Sequence, residues 1–193
     1  MQEIEIRGEI APDRPLLVVA LHDEGVHLEA QGLPVLVSGP GKVNAALAVA
    51  RALAGARPSE VIGLGTAGAL RDGLHGTHVV GEVSEHDFDH EAILELTGHR
   101  FGEPIRLGEG PRLTTGDAFV HDSTVRDRLA ESADLVDMEG YAVAAAAAAM
   151  GVPVRVVKHV ADDSDESATR SWSDSVEASA EMLNAWLAAN LAA

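Results

Sequence analysis

The stretch from Leu135 to Glu166 constrains the fold of this chain more than any other segment. It starts with an acidic residue at the mouth of a predicted helix, Tyr141–Met150, which is rich in alanine and is followed by a Gly-Val-Pro turn. The apolar strand VPVRVVKHV comes next, carries Lys158 near its end and runs into a series of aspartates that begins at Asp162. A charge on a buried strand is costly unless it is paired or functional. The stretch therefore predicts a functional site.

Predicted strands and helices alternate along the rest of the chain. Pro15–Leu21 is a continuous apolar run, typical of a strand covered on both faces, and it ends in a predicted polar loop at His22–Gly25. Apolar spacing predicts a helix over Val43–Leu53 and an amphipathic helix over Trp172–Leu191 that only packs on the core. This alternation predicts an α/β domain with a parallel or mixed sheet, and 193 residues fit a single domain, 1–193.

The polar motifs mostly follow predicted strands. Ligands of such sheets bind beyond the carboxyl ends of the strands, so we expect these motifs to converge on one edge. They are residues 22–25, 65–69, 86–90, 116–120, 137–139 and 161–165.

Composition narrows the classes of partner and compartment. Thirty-one acidic and 14 basic residues give a formal net charge of −17, which disfavours nucleic acid and anionic membranes because both are polyanions. The chain has no cysteine, its N-terminus lacks a signal-peptide pattern, and its apolar runs are too short to span a membrane. We therefore expect a cytoplasmic protein.

Glycines at positions 63, 65 and 68 nearly spell a dinucleotide-binding fingerprint. That fingerprint opens a long helix, whereas here the sequence continues into a turn, so a dinucleotide site is disfavoured. The pattern instead predicts a glycine-rich loop after a strand, in which the backbone around Ala67 and Gly68 approaches a small ligand.

A second polar cluster, His86-Asp87-Phe88-Asp89-His90, has spacings that would suit a metal. The other seven histidines form no second cluster, so a polar loop or a subunit contact is favoured over a metal site, and no metal or cofactor is expected. Lys158 is one of only two lysines, and a salt bridge to a neighbouring carboxylate is the alternative to a functional role for it.

Three acids, Glu24, Glu139 and Asp162, are separated in sequence but follow strands that we expect to converge. Cleavage of an N-glycosidic bond needs an acid for the leaving base, a base for the water, and an anion that tolerates positive charge on the sugar. Three acids on converging segments fit that chemistry.

The ordered motifs resemble those of the purine nucleoside phosphorylases and the methylthioadenosine/adenosylhomocysteine nucleosidases. The resemblance covers nearly the whole chain and is carried by ALHDEG at 20–25, SGPGKVNAA at 38–46, GTAGAL at 65–70, TTGDAF at 114–119, VDMEG at 136–140 and VVKHVADDSD at 156–165. It implies a three-layer α/β/α domain around a twisted mixed sheet, a small-molecule nucleoside substrate and a homodimer.

The resemblance also implies roles for the acids. Asp162 matches the aspartate that protonates purine N7, and Glu139 matches the glutamate that binds the ribose hydroxyls. Glu24 aligns with the nucleosidase glutamate that activates water, and Asp23 is an alternative if the loop shifts.

Other positions carried over from the family surround the substrate. Met138 is expected beside the sugar, Phe119 against the purine, and the backbone of Val120 at the edge of the base. Thr66 and Lys158 match a serine and an arginine that lie around the water.

The sequence departs from the family at several points. Ala161 replaces the serine that usually precedes the catalytic aspartate, and Asp163 is expected to raise the pKa of Asp162 by like-charge repulsion. The segment after His90 is short, which leaves the 5′ substituent of the substrate open, with His90 and Ile93 as candidate contacts.

The choice between water and phosphate as nucleophile depends on arginine. The first loop carries His22-Asp23-Glu24 where a phosphorylase would hold phosphate with arginine, and carboxylates repel that dianion. Hydrolysis of an adenosine-like nucleoside is therefore predicted, with a phosphorylase and a non-catalytic nucleoside-binding module as the alternatives.

Overall fold

The secondary structure follows the predicted alternation of strands and helices. A computed structural model describes residues 5–191, without the side chains of residues 29, 30 and 173. Ten strands and six α-helices are assigned there, with a 3₁₀ turn at Leu28–Gln31. The strands are β1 (Glu5–Arg7), β2 (Leu16–Val19), β3 (Val35–Val37), β4 (Val61–Ala69), β5 (Thr77–Val79), β6 (Glu82–Glu85), β7 (Ile105–Arg106), β8 (Arg112–Thr115), β9 (Leu135–Asp137) and β10 (Val154–Asp162). The helices are α1 (His22–Gly25), α2 (Lys42–Gly55), α3 (His90–Thr97), α4 (Ser123–Ala130), α5 (Gly140–Ala149) and α6 (Ala168–Asn190).

All ten strands form one mixed sheet, as predicted. Its main path is β1-β3-β2-β4-β9-β8-β6-β7, and β10 pairs with the other edge of β4 and carries β5. β2 runs parallel to β3 and to β4, and β10 runs parallel to β4. β9 is antiparallel to β4.

Helices cover both faces of the sheet, which confirms the three-layer α/β/α prediction. Within β2, Leu16 and Val18 pack with α2 and α5, whereas Leu17 and Val19 pack towards α6. Successive side chains of a strand point to opposite faces, so a run of apolar residues is what a doubly covered strand requires. No helix within residues 5–191 has the length and apolarity needed to cross a membrane.

The central strand β4 has a gap along one edge. β2 pairs with its first residues, Val61 to Gly63, and β9 with its last, Gly68 and Ala69. Between these two pairings, this edge of β4 has no strand neighbour within the described chain, and it is here that polar side chains gather.

Two predicted loops are in fact regular structure. The glycine-rich segment 65–69 belongs to β4, because β10 pairs with β4 in parallel from Val61 to Gly68. Residues His22–Gly25 form a helical turn, because the Glu24 carboxylate accepts a hydrogen bond from the Leu21 backbone N–H at 3.2 Å and closes its N-terminus.

Candidate active site

A cavity of about 350 Å³ opens at the gap in β4. Its size is at the lower end of the range usual for small-molecule sites. The wall is built from the ends of β2, β4, β9 and β10, the 116–120 loop and the start of α6. The lining residues are Ala20, Leu21, Glu24, Pro40, Thr66, Ala67, Gly68, Ala118, Phe119, Val120, Val136, Asp137, Met138, Glu139, Asp162, Ser164, Thr169 and Trp172.

The predicted site residues converge on this cavity with one exception, Lys158, which lies behind its wall. Five of the six predicted segments contribute lining residues, whereas residues 86–90, together with the candidate contacts His90 and Ile93, do not. Asp87 instead binds Lys42, and Asp89 caps α3. Within the described chain, no three His, Asp or Glu side chains are grouped as metal ligands.

Glu24 occupies the open edge of β4. Its Oε1 accepts hydrogen bonds from the Thr66 backbone N–H at 2.9 Å and from Thr66 Oγ1 at 3.1 Å. Trp172 Nε1 donates to the same Thr66 hydroxyl at 3.0 Å. A hydroxyl has one proton, so the Trp172 donor directs the Thr66 proton towards Glu24.

Asp162 ends β10 at a register irregularity of the strand pair. Its Oδ1 accepts one hydrogen bond, from the Ser164 backbone N–H at 2.9 Å. Burial raises the pKa of Asp162, the hydrogen bond from Ser164 opposes that shift, and the nearby Asp163 charge adds to it. The predicted direction of the shift is thus confirmed, although burial contributes more to it than Asp163 does.

Glu139 lies at the N-terminal end of α5. Its Oε1 accepts a hydrogen bond from the Gly41 backbone N–H at 2.7 Å, just before α2 begins. Burial, reinforced by the neighbouring Asp137 charge, raises the pKa of Glu139 to about 7. The carboxyl of Glu139 is therefore poised between its neutral and ionised forms near neutral pH.

Lys158 is fully enclosed and forms an ion pair with Asp137, with Nζ 2.9 Å from Oδ2. Asp137 also accepts hydrogen bonds from the Thr115 hydroxyl at 2.6 Å and the Gly140 backbone N–H at 2.8 Å. Burial alone would lower the pKa of Lys158, but the charges of Asp137, Glu139 and Glu24 outweigh it and the pKa is raised. Lys158 thus stays charged and offsets the carboxylates behind the cavity.

The glycines of β4 make room for these side chains. A Cβ at Gly65 would lie 3.0 Å from Lys158 Nζ and 3.1 Å from Glu24 Oε1, and a Cβ at Gly68 would lie 2.8 Å from Asp162 Oδ1. The glycine pattern that resembles a dinucleotide fingerprint therefore lies within a strand, and its glycines leave room for the side chains around the cavity.

Several residues of the cavity wall were not predicted from the sequence, among them Trp172, Asp137 and Ser164. Trp172 was predicted to be a core residue only, which is wrong, because it lines the cavity and binds Thr66. Asp137 and Ser164 also line it, although they lie within motifs that had been singled out for their neighbours.

The molecule is an α/β/α domain with buried acids around a small cavity at its strand ends, which is the arrangement of a binding site for a small molecule. The sequence profile of the phosphorylase superfamily matches residues 21–104 and 78–192. The chain belongs to the phosphorylase superfamily and, within it, to the nucleosidase branch.

Known proteins from several bacteria support that assignment. The 5′-methylthioadenosine/S-adenosylhomocysteine nucleosidase of an Exiguobacterium species is 30% identical over 199 residues, covering 89% of this chain and 85% of the relative. The protein of the same name from Actinobacillus succinogenes is 30% identical over 203 residues, covering 90% of this chain and 86% of the relative. Membership of this branch makes the protein an N-glycosyl hydrolase.

Solved structures share the fold. A Helicobacter pylori nucleosidase mutant with 5′-methylthioadenosine in its active site has a TM-score of 0.80 at 22% identity, covering 92% of this chain and 97% of the other. The native futalosine hydrolase of the same organism has a TM-score of 0.79 at 23% identity and covers 91% and 95%.

Proposed function

We propose that the protein is a purine nucleosidase that hydrolyses the N-glycosidic bond of an adenosine-like nucleoside to a free base and a free sugar. The observation that carries the proposal is that Glu24 and Asp162 flank one cavity, at positions 65–66 and 68 of β4. Two to three residues of strand span about 7–10 Å, which suits a nucleoside with its sugar towards one acid and its base towards the other. Methylthioadenosine, adenosylhomocysteine and futalosine-type nucleosides are the candidate substrates.

Asp162 is assigned as the general acid. Its raised pKa favours the protonated carboxyl, which can donate a proton to N7 of the purine as the glycosidic bond breaks. A positioned proton donor of this kind typically contributes about 10²–10⁴ in rate.

Glu24 is assigned as the general base. Its Oε1 accepts hydrogen bonds from Thr66 and its Oε2 accepts one from Leu21, so the carboxyl is held in a fixed orientation in the cavity wall, where it can take a proton from water. Asp23 is exposed and does not line the cavity, which favours Glu24 over its neighbour.

Glu139 and Met138 are assigned to the sugar, with Phe119 and the Val120 backbone at the base. Glu139 in its ionised form accepts hydrogen bonds from two adjacent hydroxyls, and its negative charge stabilises the positive charge that develops on the sugar. Thr66 and Lys158 act indirectly, through Glu24 and Asp137 respectively.

The cavity wall disfavours phosphate as the nucleophile. Four acidic residues line it, Glu24, Asp137, Glu139 and Asp162, whereas no arginine or lysine is among the described lining residues. A phosphate dianion would be repelled by such a wall.

Product analysis tests the proposal. Methylthioadenosine, adenosylhomocysteine, futalosine and adenosine are each incubated with the protein, with and without phosphate, and the products are separated by chromatography. We expect free base and free sugar at a rate that does not depend on phosphate. Formation of a ribose 1-phosphate would show a phosphorylase, and tight binding without turnover would show a binding module.

We also infer a cytoplasmic homodimer. Val43 and Leu47 are one turn apart on α2 and are 67% and 59% exposed, so they form a small apolar surface that a second copy of the chain would cover. Light scattering of the wild type and of the double variant Val43→Asp/Leu47→Asp tests the dimer, and a monomeric wild type would contradict it.

A further inference from the structure

Ser164 stands out in the described chain because of its backbone. Its φ of 53° is the only positive φ of a non-glycine residue within residues 5–191. This left-handed conformation is unfavourable for residues with a Cβ, and glycine would adopt it without strain. A serine at such a position points to a use for its side chain.

The Ser164 hydroxyl is also buried without a partner. The residue is 0% exposed, and its Oγ has no hydrogen-bond partner. Two other described side chains, His86 and Arg126, contain such an atom, but neither lines the cavity, whereas Ser164 does. An unpaired buried hydroxyl in a binding cavity is a group prepared for a ligand.

Ser164 lies beside Asp162 in the cavity wall. A Cβ at Gly68 would collide with Ser164 Oγ and would lie 2.8 Å from Asp162 Oδ1, so both atoms share the space that glycine leaves. The Ser164 backbone N–H donates to the same Oδ1 at 2.9 Å, which fixes the two side chains relative to each other.

The chemistry of a purine then identifies the partner of this hydroxyl. N7 and the substituent on C6 lie side by side on the same edge of the base, as an acceptor next to an amino donor or an oxo acceptor. If Asp162 faces N7, a hydroxyl next to Asp162 meets either C8–H, which offers no conventional hydrogen bond, or the C6 substituent, which does.

We propose that the Ser164 hydroxyl binds the C6 substituent of the purine and so favours purines with an amino or oxo group at C6 over purines with hydrogen there. This inference rests on the proposed function and on Asp162 as the acid at N7. A hydroxyl both donates and accepts, so Ser164 serves a 6-amino or a 6-oxo purine.

The test compares two nucleosides in two proteins. The substrates are 5′-methylthioadenosine and its analogue with hydrogen at C6, and the proteins are the wild type and Ser164→Gly. Glycine suits the positive φ and removes the unpaired hydroxyl, so the variant is expected to fold, with a melting temperature no lower than that of the wild type.

We expect Ser164→Gly to lower kcat/KM for the 6-amino substrate about 10-fold relative to the analogue. Because the same two substrates are compared in both proteins, their intrinsic reactivities cancel. An equal loss on both substrates would overturn the proposal, since the hydroxyl would then act on Asp162 or on the sugar, and an unchanged kcat/KM for both would overturn it as well. A wild type that cleaves neither these two nucleosides nor any other candidate substrate would refute the proposed function instead.

Discussion

Glu24 and Asp162 are two carboxyls in the wall of one cavity, almost equally buried at 4% and 7% exposure, but with different surroundings. Glu24 accepts hydrogen bonds from Leu21 and from two groups of Thr66, whereas Asp162 accepts one, from Ser164. Hydrogen-bond donors stabilise a carboxylate, and desolvation favours the neutral acid. Under the proposed roles of Glu24 as base and Asp162 as acid, the two carboxyls are therefore distinguished by the donors and charges around them, with Lys158 near Glu24 and Asp163 near Asp162, and not by their burial.

The largest expected effect is a loss of kcat when the general acid or the general base is replaced by its amide. Asp162→Asn cannot protonate the base and is expected to lower kcat by about 10²–10⁴, and Glu24→Gln is expected to do the same on the water side. Steady-state kinetics measure both. Asp163→Asn changes an exposed neighbour of the same chemistry and serves as the control. Equal activity of Asp162→Asn and Asp163→Asn would contradict the role of Asp162.

Lys158→Met removes the positive charge that lies behind the cavity wall. It leaves Asp137 buried without its cation, so we expect a loss of about 3–5 kcal/mol in the free energy of unfolding, measured by urea denaturation. The double variant Lys158→Met/Asp137→Asn should regain part of that loss, since no unpaired charge remains. A double variant that loses the sum of both single effects would argue against the ion pair.

Glu139→Gln tests whether the pKa of Glu139 is raised in the folded protein. Folded Glu139 titrates at about 7 instead of 4.5, so it binds its proton more tightly than the unfolded chain does. Wild-type stability should therefore fall as pH rises between these values, by up to about 3 kcal/mol. The variant lacks this loss, so its stability relative to the wild type should increase from pH 5 to pH 8 in denaturation experiments. Identical pH dependence of the two proteins would contradict the shift.

Trp172→Phe has the smallest expected effect and probes how the base is positioned. It removes the donor that directs the Thr66 proton towards Glu24, and we expect kcat to fall about 2- to 10-fold. Thr66→Val removes the hydroxyl itself, so the double variant should be no slower than Thr66→Val alone. Additive losses in kcat would show that Trp172 acts separately from Thr66.

Much of this arrangement could be predicted from the sequence, because strand-like apolar runs place Glu24, Glu139 and Asp162 after strands that converge. The glycines of β4 were placed in a loop because nothing local reveals that β10 pairs with them. Trp172 was assigned to the core because helical periodicity does not distinguish a face that covers a cavity from one that covers packed side chains. The ion-pair partner of Lys158 could not be identified from the sequence for a similar reason. Asp137 is distant from Lys158 in sequence, and the two residues come together only because β9 and β10 both pair with β4.

The pH dependence of kcat/KM in four proteins tests the roles of the site carboxyls most directly. The wild type should lose activity at high pH as Asp162 ionises, and at low pH as Glu139, whose pKa is raised to about 7, becomes protonated. We expect Asp162→Asn to lose the high-pH limb and Glu139→Gln to lose the low-pH limb, whereas Glu24→Gln, which lacks the base, should be slower across the whole pH range. The reverse assignment of limbs, or a profile that neither Asp162→Asn nor Glu139→Gln changes, would contradict the account.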